Sequence, residues 1–259
     1  TYCVIGSGAA NVAFVRILIR AGVPAGNIIV VDSKGILHSG RADLEFDKGN
    51  NPYKWEFALK TNADGRTGCM AEAIADTDVL IAASKPGPDT IKKEWLSSMH
   101  KDAIAFVMAN PTPEIWPWEA AEAGVRIVGT GRSDFPNQIN NSIGFPGIFR
   151  GALDVFARTI TDEMAIAAAY SIAKTAEDKG LREDYIVPSM METDVFVNEA
   201  VAVGLKAIEQ GIAGRILSAE ELRAEAEAKI HHAQAETQTL MKAGIIPPPP
   251  KHADGRDCC

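Results

Sequence analysis

The chain lacks any run of about 20 consecutive apolar residues, the length an α-helix needs to cross a bilayer, so no membrane-spanning helix is expected. It also lacks a basic cluster. The 26 lysines and arginines are interspersed among 34 acidic residues, leaving a net charge of −8. Phosphate backbones are held by clustered cations, so nucleic acid is not an expected partner; small molecules and protein subunits are. Cysteine is scarce, at four residues. Cys3 lies in an apolar run, Cys69 near a helix start, and Cys258 and Cys259 are adjacent at the end. That spacing makes no disulfide framework and fits a reducing, cytoplasmic setting. There is no internal repeat, no signal-peptide pattern and no Met at position 1. Thr1 leads straight into the apolar run Tyr2–Ile5, so the sequence reads as a fragment.

What is present is ample core material: 259 residues, 46% of them hydrophobic. Short apolar runs at Tyr2–Ile5, Ile28–Asp32, Val79–Ala82, Ile104–Ala109 and Arg126–Gly129 alternate with helical patterns, the first over Ala9–Ala21. Such β-α-β alternation predicts an α/β fold, a doubly wound parallel sheet of Rossmann-like type covered on both faces. Residues 35–52 turn polar and rich in Gly, Asp and Asn, a surface excursion before a helix through Trp55 and Leu59.

Beyond Phe145 the pattern becomes helical. Thr161 is an N-cap followed by Asp162 and Glu163 in the first turn, and Gly180 is the stop. A second helix carries Val201, Leu205, Ile208 and Ile212 on one face, and a third opens on the capping box Ser218/Glu221. The third presents Leu222, Ala226, Ile230, Ala233 and Leu240 as a narrow stripe that must lie on something. The Pro247–Pro250 run then ends regular structure. The expected organisation is a dinucleotide-binding core over 1–160, helices completing the same domain over 161–216, and a C-terminal helix with a proline-rich tail over 217–259.

Gly6-Ser7-Gly8-Ala9-Ala10-Asn11 follows the first strand and opens the first helix, the context in which a glycine turn binds a pyrophosphate. Gly6 permits the turn, Gly8 lets a diphosphate approach the backbone, and the helix start supplies free N–H groups. Asn11 stands where Gly or Ala would allow close packing; it either loosens that contact or bonds locally. Asp32 ends the second strand about 20 residues beyond the glycines, where a carboxylate accepts hydrogen bonds from a ribose and repels a 2′-phosphate. That favours NAD, while Ser33 and Lys34 leave NADP open. Two further loops follow strand ends: Ser84-Lys85-Pro86-Gly87, whose Ser84 joins the expected cofactor contacts, and Asn110-Pro111-Thr112-Pro113, a stiff loop that fixes the Asn110 amide. On spacing alone both are ordinary proline turns.

Gly131-Arg132-Ser133-Asp134-Phe135-Pro136-Asn137-Gln138-Ile139-Asn140-Asn141 concentrates amides after the last strand and runs into Phe145-Pro146-Gly147-Ile148. Amides are uncharged donors and acceptors suited to carboxylates and a carboxamide. Together with the glycine turn, Val31-Asp32-Ser33-Lys34-Gly35, the Ser84 loop and Ala109–Glu114, this stretch resembles the malic enzymes, especially the compact bacterial type, from Gly6 to about Ile212. The resemblance implies oxidative decarboxylation of malate to pyruvate and carbon dioxide with reduction of NAD or NADP. It implies that Asn110 and Asn141 contact substrate and the nicotinamide end of the cofactor, with Asn140 their neighbour. In that family a Lys base, a Tyr acid and three acidic ligands for Mg or Mn precede the glycine turn, a region this sequence does not contain. No catalytic or metal-ligating residue is therefore expected here, and the segment alone is expected to bind dinucleotide without turning over.

Two alternatives stand beside this: a noncatalytic dinucleotide-binding subunit or sensor, and a malolactic type of reaction. The stripe on the last helix and the incomplete site lead us to expect at least a homodimer. His231 and His232, adjacent on a helix, point about 100° apart and read as a solvated face rather than a metal pair. Trp55, Trp95, Trp116 and Trp118 read as core or lid packing, and Glu114 and Asp134 as a pair that nothing in the sequence brings together.

Overall fold

A computed structural model describes residues 1–247. Of the proline run only Pro247 falls within it, and Cys258 and Cys259 lie outside the described residues. The sheet has six strands in the order β3-β2-β1-β4-β5-β6. These are β1 (Tyr2–Ile5), β2 (Ile28–Asp32), β3 (Gly35–Ile36), β4 (Val79–Ala82), β5 (Ile104–Val107) and β6 (Ile127–Thr130). All neighbours run parallel except β3, which returns antiparallel on β2 with Val31 opposite Ile36.

Successive strand residues feed opposite cores. Cys3, Ile5, Ile29, Val31, Leu80, Ala82, Ala105 and Val107 face one way. Val4, Ile28, Val30 and Ile81 face the other. The first layer is closed by α4 (Met70–Ile74), α5 (Lys93–Leu96) and α6 (Pro117–Glu122), through Ile74, Leu96 and Ala120. The second is closed by α1 (Ala9–Arg20), α2 (Ala42–Phe46) and α3 (Pro52–Lys60), through Val15, Leu44 and Phe57. Burial on both faces explains why the strands read as continuous rather than alternating apolar runs.

The remaining helices are α7 (Asn141–Asp154), α8 (Asp162–Lys179), α9 (Asp194–Glu209) and α10 (Ala219–Lys242). They share a third core of Ala152, Val155, Met164, Ala168, Val203, Ala207, Leu217 and Leu222. Surface ion pairs link it to the sheet layer: Arg16 of α1 to Asp162 at 3.0 Å, and Arg20 to Glu163 at 2.8 Å. The capping chemistry is as expected. Thr161 Oγ1 accepts from Met164 N, Gly180 follows α8 with φ +94°, and Ser218 and Glu221 exchange both bonds of the capping box.

Four expectations change. The polar stretch 35–52 contains the antiparallel β3 and the short α2, because a two-residue strand is too brief to show a period. Helix α7 begins at Asn141 rather than beyond Phe145, and Pro146 lies inside it near the first turn, where only a few intrahelical bonds are at stake. The buried residues of α9 are Val195, Val197, Glu199, Ala200, Val203, Gly204 and Ala207, while Leu205 is more than a third exposed. Small residues win where α7 crosses closely. A Cβ on Gly151 would stand 2.4 Å from the Ala200 carbonyl oxygen. On α10, Leu222 and Ala226 are buried against the other helices and Ile230 packs beside them, but Ala233 and Leu240 are exposed.

The close crossing makes Gly151→Ala a direct probe of it. We expect a loss of about 1–3 kcal/mol in chemical denaturation, since the added methyl forces backbone apart rather than filling space. An unchanged midpoint would show that the helices are not in contact there.

Candidate functional site

At the carboxyl edge of the sheet, β1 ends between β2 and β4, and the chain turns at Gly6 (φ +105°) into α1. A side chain at Gly6 would lie 2.5 Å from Asn11 Nδ2. Gly8 is the residue before α1, extended at φ −76° and ψ 177°, and a Cβ there meets nothing within 4 Å. The first peptide N–H groups of α1 therefore open onto space with no acceptor among the described residues, the arrangement that attracts an anion. Ser7, Gly8 and Ala9 line one wall of a cleft of about 740 Å³, with Gly49–Lys54 opposite and Arg16 at its side. Ala10 is exposed beside them in the same first turn.

Asn11 does not face this cleft. It is fully buried, and its Nδ2 donates to the carbonyls of Ile5 (3.1 Å) and Ala83 (2.8 Å). Of the two roles open to it, local bonding is the one it takes: it ties the ends of β1 and β4 together. Among the expected cofactor contacts it is a brace rather than a binding group.

Asp32 is also committed within the protein. Its Oδ1 accepts from Arg41 Nη1 at 2.8 Å and from the Lys34 backbone N–H at 2.9 Å; its Oδ2 faces Arg41 Nη2 at 3.3 Å and Lys54 Nζ at 3.4 Å. Burial would raise this carboxyl, but the hydrogen bonds from Arg41 and Lys34 and the charges of Arg41 and Lys54 outweigh it and hold it below its ordinary value. Arg41 is shared with Asp43, which also pairs with Lys34. Ser33 stays exposed at the turn. The corner thus holds three cations against two carboxylates. Arg41 and Lys54 lie in polar or helical stretches whose sequence gives no sign that they meet Asp32, nor does that of Arg16 show that it lines the cleft with Lys54.

The other two loops are joined by a buried carboxylate. Glu114 is fully buried; its Oε1 accepts from Ser84 N (2.7 Å) and Ser84 Oγ (3.1 Å), and its Oε2 from Ala109 N (3.1 Å). It therefore clamps the loop after β4 to the loop after β5. Asp134 is engaged separately by Arg132 at 2.6 Å, so the two acids are not a pair.

Asn110 is exposed at the start of its loop, and its Nδ2 would lie 2.9 Å from a Cβ on Gly131. Asn140 donates from Nδ2 to the Gly131 carbonyl at 2.6 Å, while its Oδ1 accepts from Ser142 N at 3.0 Å as the cap of α7. The two amide loops therefore meet at Gly131, where Arg132 Nη1 also donates to the Pro111 carbonyl at 2.8 Å, and the side chain of Asn140 is used in holding its own loop. The Asn141 side chain is exposed and makes no hydrogen bond among the described residues. Asn137 fixes the loop from behind, bonding the backbone of Val128, Glu183 and Ile186. Trp116 and Trp118 stack at 4.9 Å beside Phe135, with Arg132 over Trp116 and Phe135. Among the described residues no three His, Cys, Asp or Glu side chains form a metal-ligand group.

Glu114→Gln retains size but sets an amide NH₂ against a backbone N–H. We expect it to lower stability by about 1–3 kcal/mol in denaturant and to weaken dinucleotide binding about tenfold, with Ser84→Ala milder on both counts. Equal binding by Glu114→Gln and the unaltered chain in a fluorescence titration would remove the clamp from the site.

Residues 1–208 match the family model described as malic enzyme, NAD binding domain. The chain is 45% identical over 217 residues to the bifunctional malic/malolactic enzyme of Bacillus subtilis, covering 84% of this chain and 51% of that protein. It is 47% identical over 208 residues to the NAD-dependent malic enzyme of Geobacillus stearothermophilus, covering 80% of this chain and 41% of the other. Among solved structures, the Entamoeba histolytica malic enzyme superposes with a TM-score of 0.91 at 44% identity, over 95% of this chain and 50% of that one. The Pyrococcus horikoshii malic enzyme superposes with a TM-score of 0.87 at 44% identity, over 94% and 56%. This chain spans about half the length of these relatives. With the open glycine turn and the paired amide loops, these matches place the chain in the malic enzyme family, as its NAD-binding domain.

Proposed function

We propose that this chain is the dinucleotide-binding half of an enzyme that oxidises and decarboxylates malate to pyruvate and carbon dioxide. The observation that carries the proposal is the edge where the unpartnered N–H groups of α1 and the exposed amides of Asn110 and Asn141 open to solvent around strand ends pointing the same way. The diphosphate rests on the start of α1, with Arg16 and Lys54 supplying charge along the cleft. Asn110 and Asn141 hold the carboxamide of the nicotinamide and a malate carboxylate as neutral hydrogen-bonding groups. A nicotinamide bound there would supply the hydride acceptor for C2 of malate, whose oxidation would allow the distal carboxylate to leave as carbon dioxide.

To the residues of this chain we assign orientation of dinucleotide and substrate. The described carboxylates do not assemble a ligand set for Mg or Mn, and we assign that ion, the base and the acid to the part of the enzyme that the relatives have beyond this span. The Bacillus subtilis relative is named for both malic and malolactic activity, which keeps the malolactic outcome, with lactate released, as a second reading.

Dinucleotide choice follows from the Asp32 corner. Read from sequence, the carboxylate alone favours NAD; paired with Arg41 it loses much of its repulsion for a 2′-phosphate. We therefore assign both dinucleotides to this site, with Arg41 setting the ratio. Arg41→Leu uncovers Asp32 and should shift preference toward NAD by about tenfold, read as the ratio of NADH to NADPH affinities. An unchanged ratio would remove Arg41 and Asp32 from the ribose site. The wider proposal is tested by titrating the 259-residue chain with NADH and assaying it with malate, NAD and Mn. Binding without turnover is expected, and absence of binding refutes the proposal.

A further inference from the structure

Among the described residues, four buried side-chain oxygens have no hydrogen-bond partner, and two of them are the carboxyl oxygens of Glu199. This residue sits in the middle of α9 and is 0% exposed. Its side chain lies across the backbone of α7: a Cβ on Gly147 would stand 2.2 Å from Oε2, and one on Gly144 would stand 3.7 Å from Oε1. Only glycine admits it at Gly147. Glu199, Gly144, Asn140 and Asn141 also line one cavity of about 430 Å³, whose other walls are apolar side chains. An acid with no counter-charge is thus packed against the same helix whose first turn carries the amides of the proposed site.

We propose that Glu199 is a positioning residue that must be uncharged for α7 to hold Asn141 where dinucleotide and substrate meet it. The inference rests on the function proposed above. A charged carboxylate in this wall has no partner among the described residues to offset its lost hydration, so ionisation favours parting α9 from α7. Parting them moves the start of α7, because the contact runs through Gly144 and Gly147, one and two turns from Asn141.

The charged groups on the surrounding helices are engaged elsewhere. On α7, Arg150 pairs with Asp154, which also takes Lys229 of α10. On α8, Asp162 and Glu163 pair with the arginines of α1, Lys174 with Glu177 and Asp178, and Lys179 with Glu192 and Asp194. Lys206 of α9 pairs with Glu209, and on α10 Arg223 bonds Asn198 and pairs with Glu227, while Glu225 takes Arg215 and Lys229. With no charge to compensate it, burial alone pushes the Glu199 carboxyl up to about 8.

The test is the pH profile of NADH binding by the 259-residue chain and its Glu199→Gln variant, followed by fluorescence. If binding needs the protonated acid, the dissociation constant scales as 1 + 10^(pH−pKa) and rises about tenfold between pH 7 and pH 9 in the unaltered chain, while the Gln variant, neutral and of the same size, stays flat. Parallel profiles, or a Gln variant already weak at pH 6.5, overturn the role of Glu199 and leave the dinucleotide reading standing. Failure of the unaltered chain to bind NADH at any pH overturns that reading instead. A second measurement covers poor folding of the variant: a ¹³C-labelled glutamate carboxyl in the unaltered chain must titrate between pH 7 and 9 in step with affinity. A Glu199 signal that titrates near its ordinary 4.5 refutes the proposal.

Discussion

A parallel sheet sends all its strands out at one edge, and every peptide N–H and carbonyl that leaves the ladder there must find a new partner or face a ligand. Most of this structure can be understood as the division of those groups. Side chains take the ones that hold loops: buried Asn11 binds the carbonyl that ends β1 and the one after β4, buried Glu114 the N–H groups after β4 and β5, and half-buried Asn140 the carbonyl after β6. The groups left over, at the first turn of α1, are those a diphosphate needs. The crevice exists because the protein satisfies its own backbone on either side of it and stops there.

Asn11 and Glu114 cross from one strand end to the next, and Arg132 crosses from the loop after β6 to the Pro111 carbonyl, so the loops form a chain of dependence rather than a set of independent fingers. Ser84 leans on Glu114, Glu114 on the Ala109 N–H, and Asn110 and Asn140 on Gly131. The helical layer joins at the far end, because α7 starts at Asn141 and is packed by α9. A disturbance at α9 thus reaches the amides without touching a ligand.

The sheet and the glycine turn were legible because their signals are local. Ile28–Asp32 is apolar along its length, and Gly6 and Gly8 stand between a strand and a helix start. The caps Thr161 and Ser218 were legible for the same reason. Partnerships across the chain were not. Asp32 carries no mark of Arg41, nine residues on, or of Lys54, and the carboxylate of Glu114 reads as one more acidic residue until Ser84, thirty residues away, lies against it. Neither did periodicity identify the buried face of α9: its apolar residues lie on more than one side, and the tight crossing with α7 selected alanine and glycine over leucine.

Both borders of the sheet are short and already occupied. At one, β3 has two residues, and Ile36 donates its N–H to the carbonyl of Gly68. At the other, Thr130 bridges Gln138, and Ile139 donates to the Thr130 carbonyl. Little free backbone remains for a foreign strand to extend the ladder, which guards the chain against fibrous pairing.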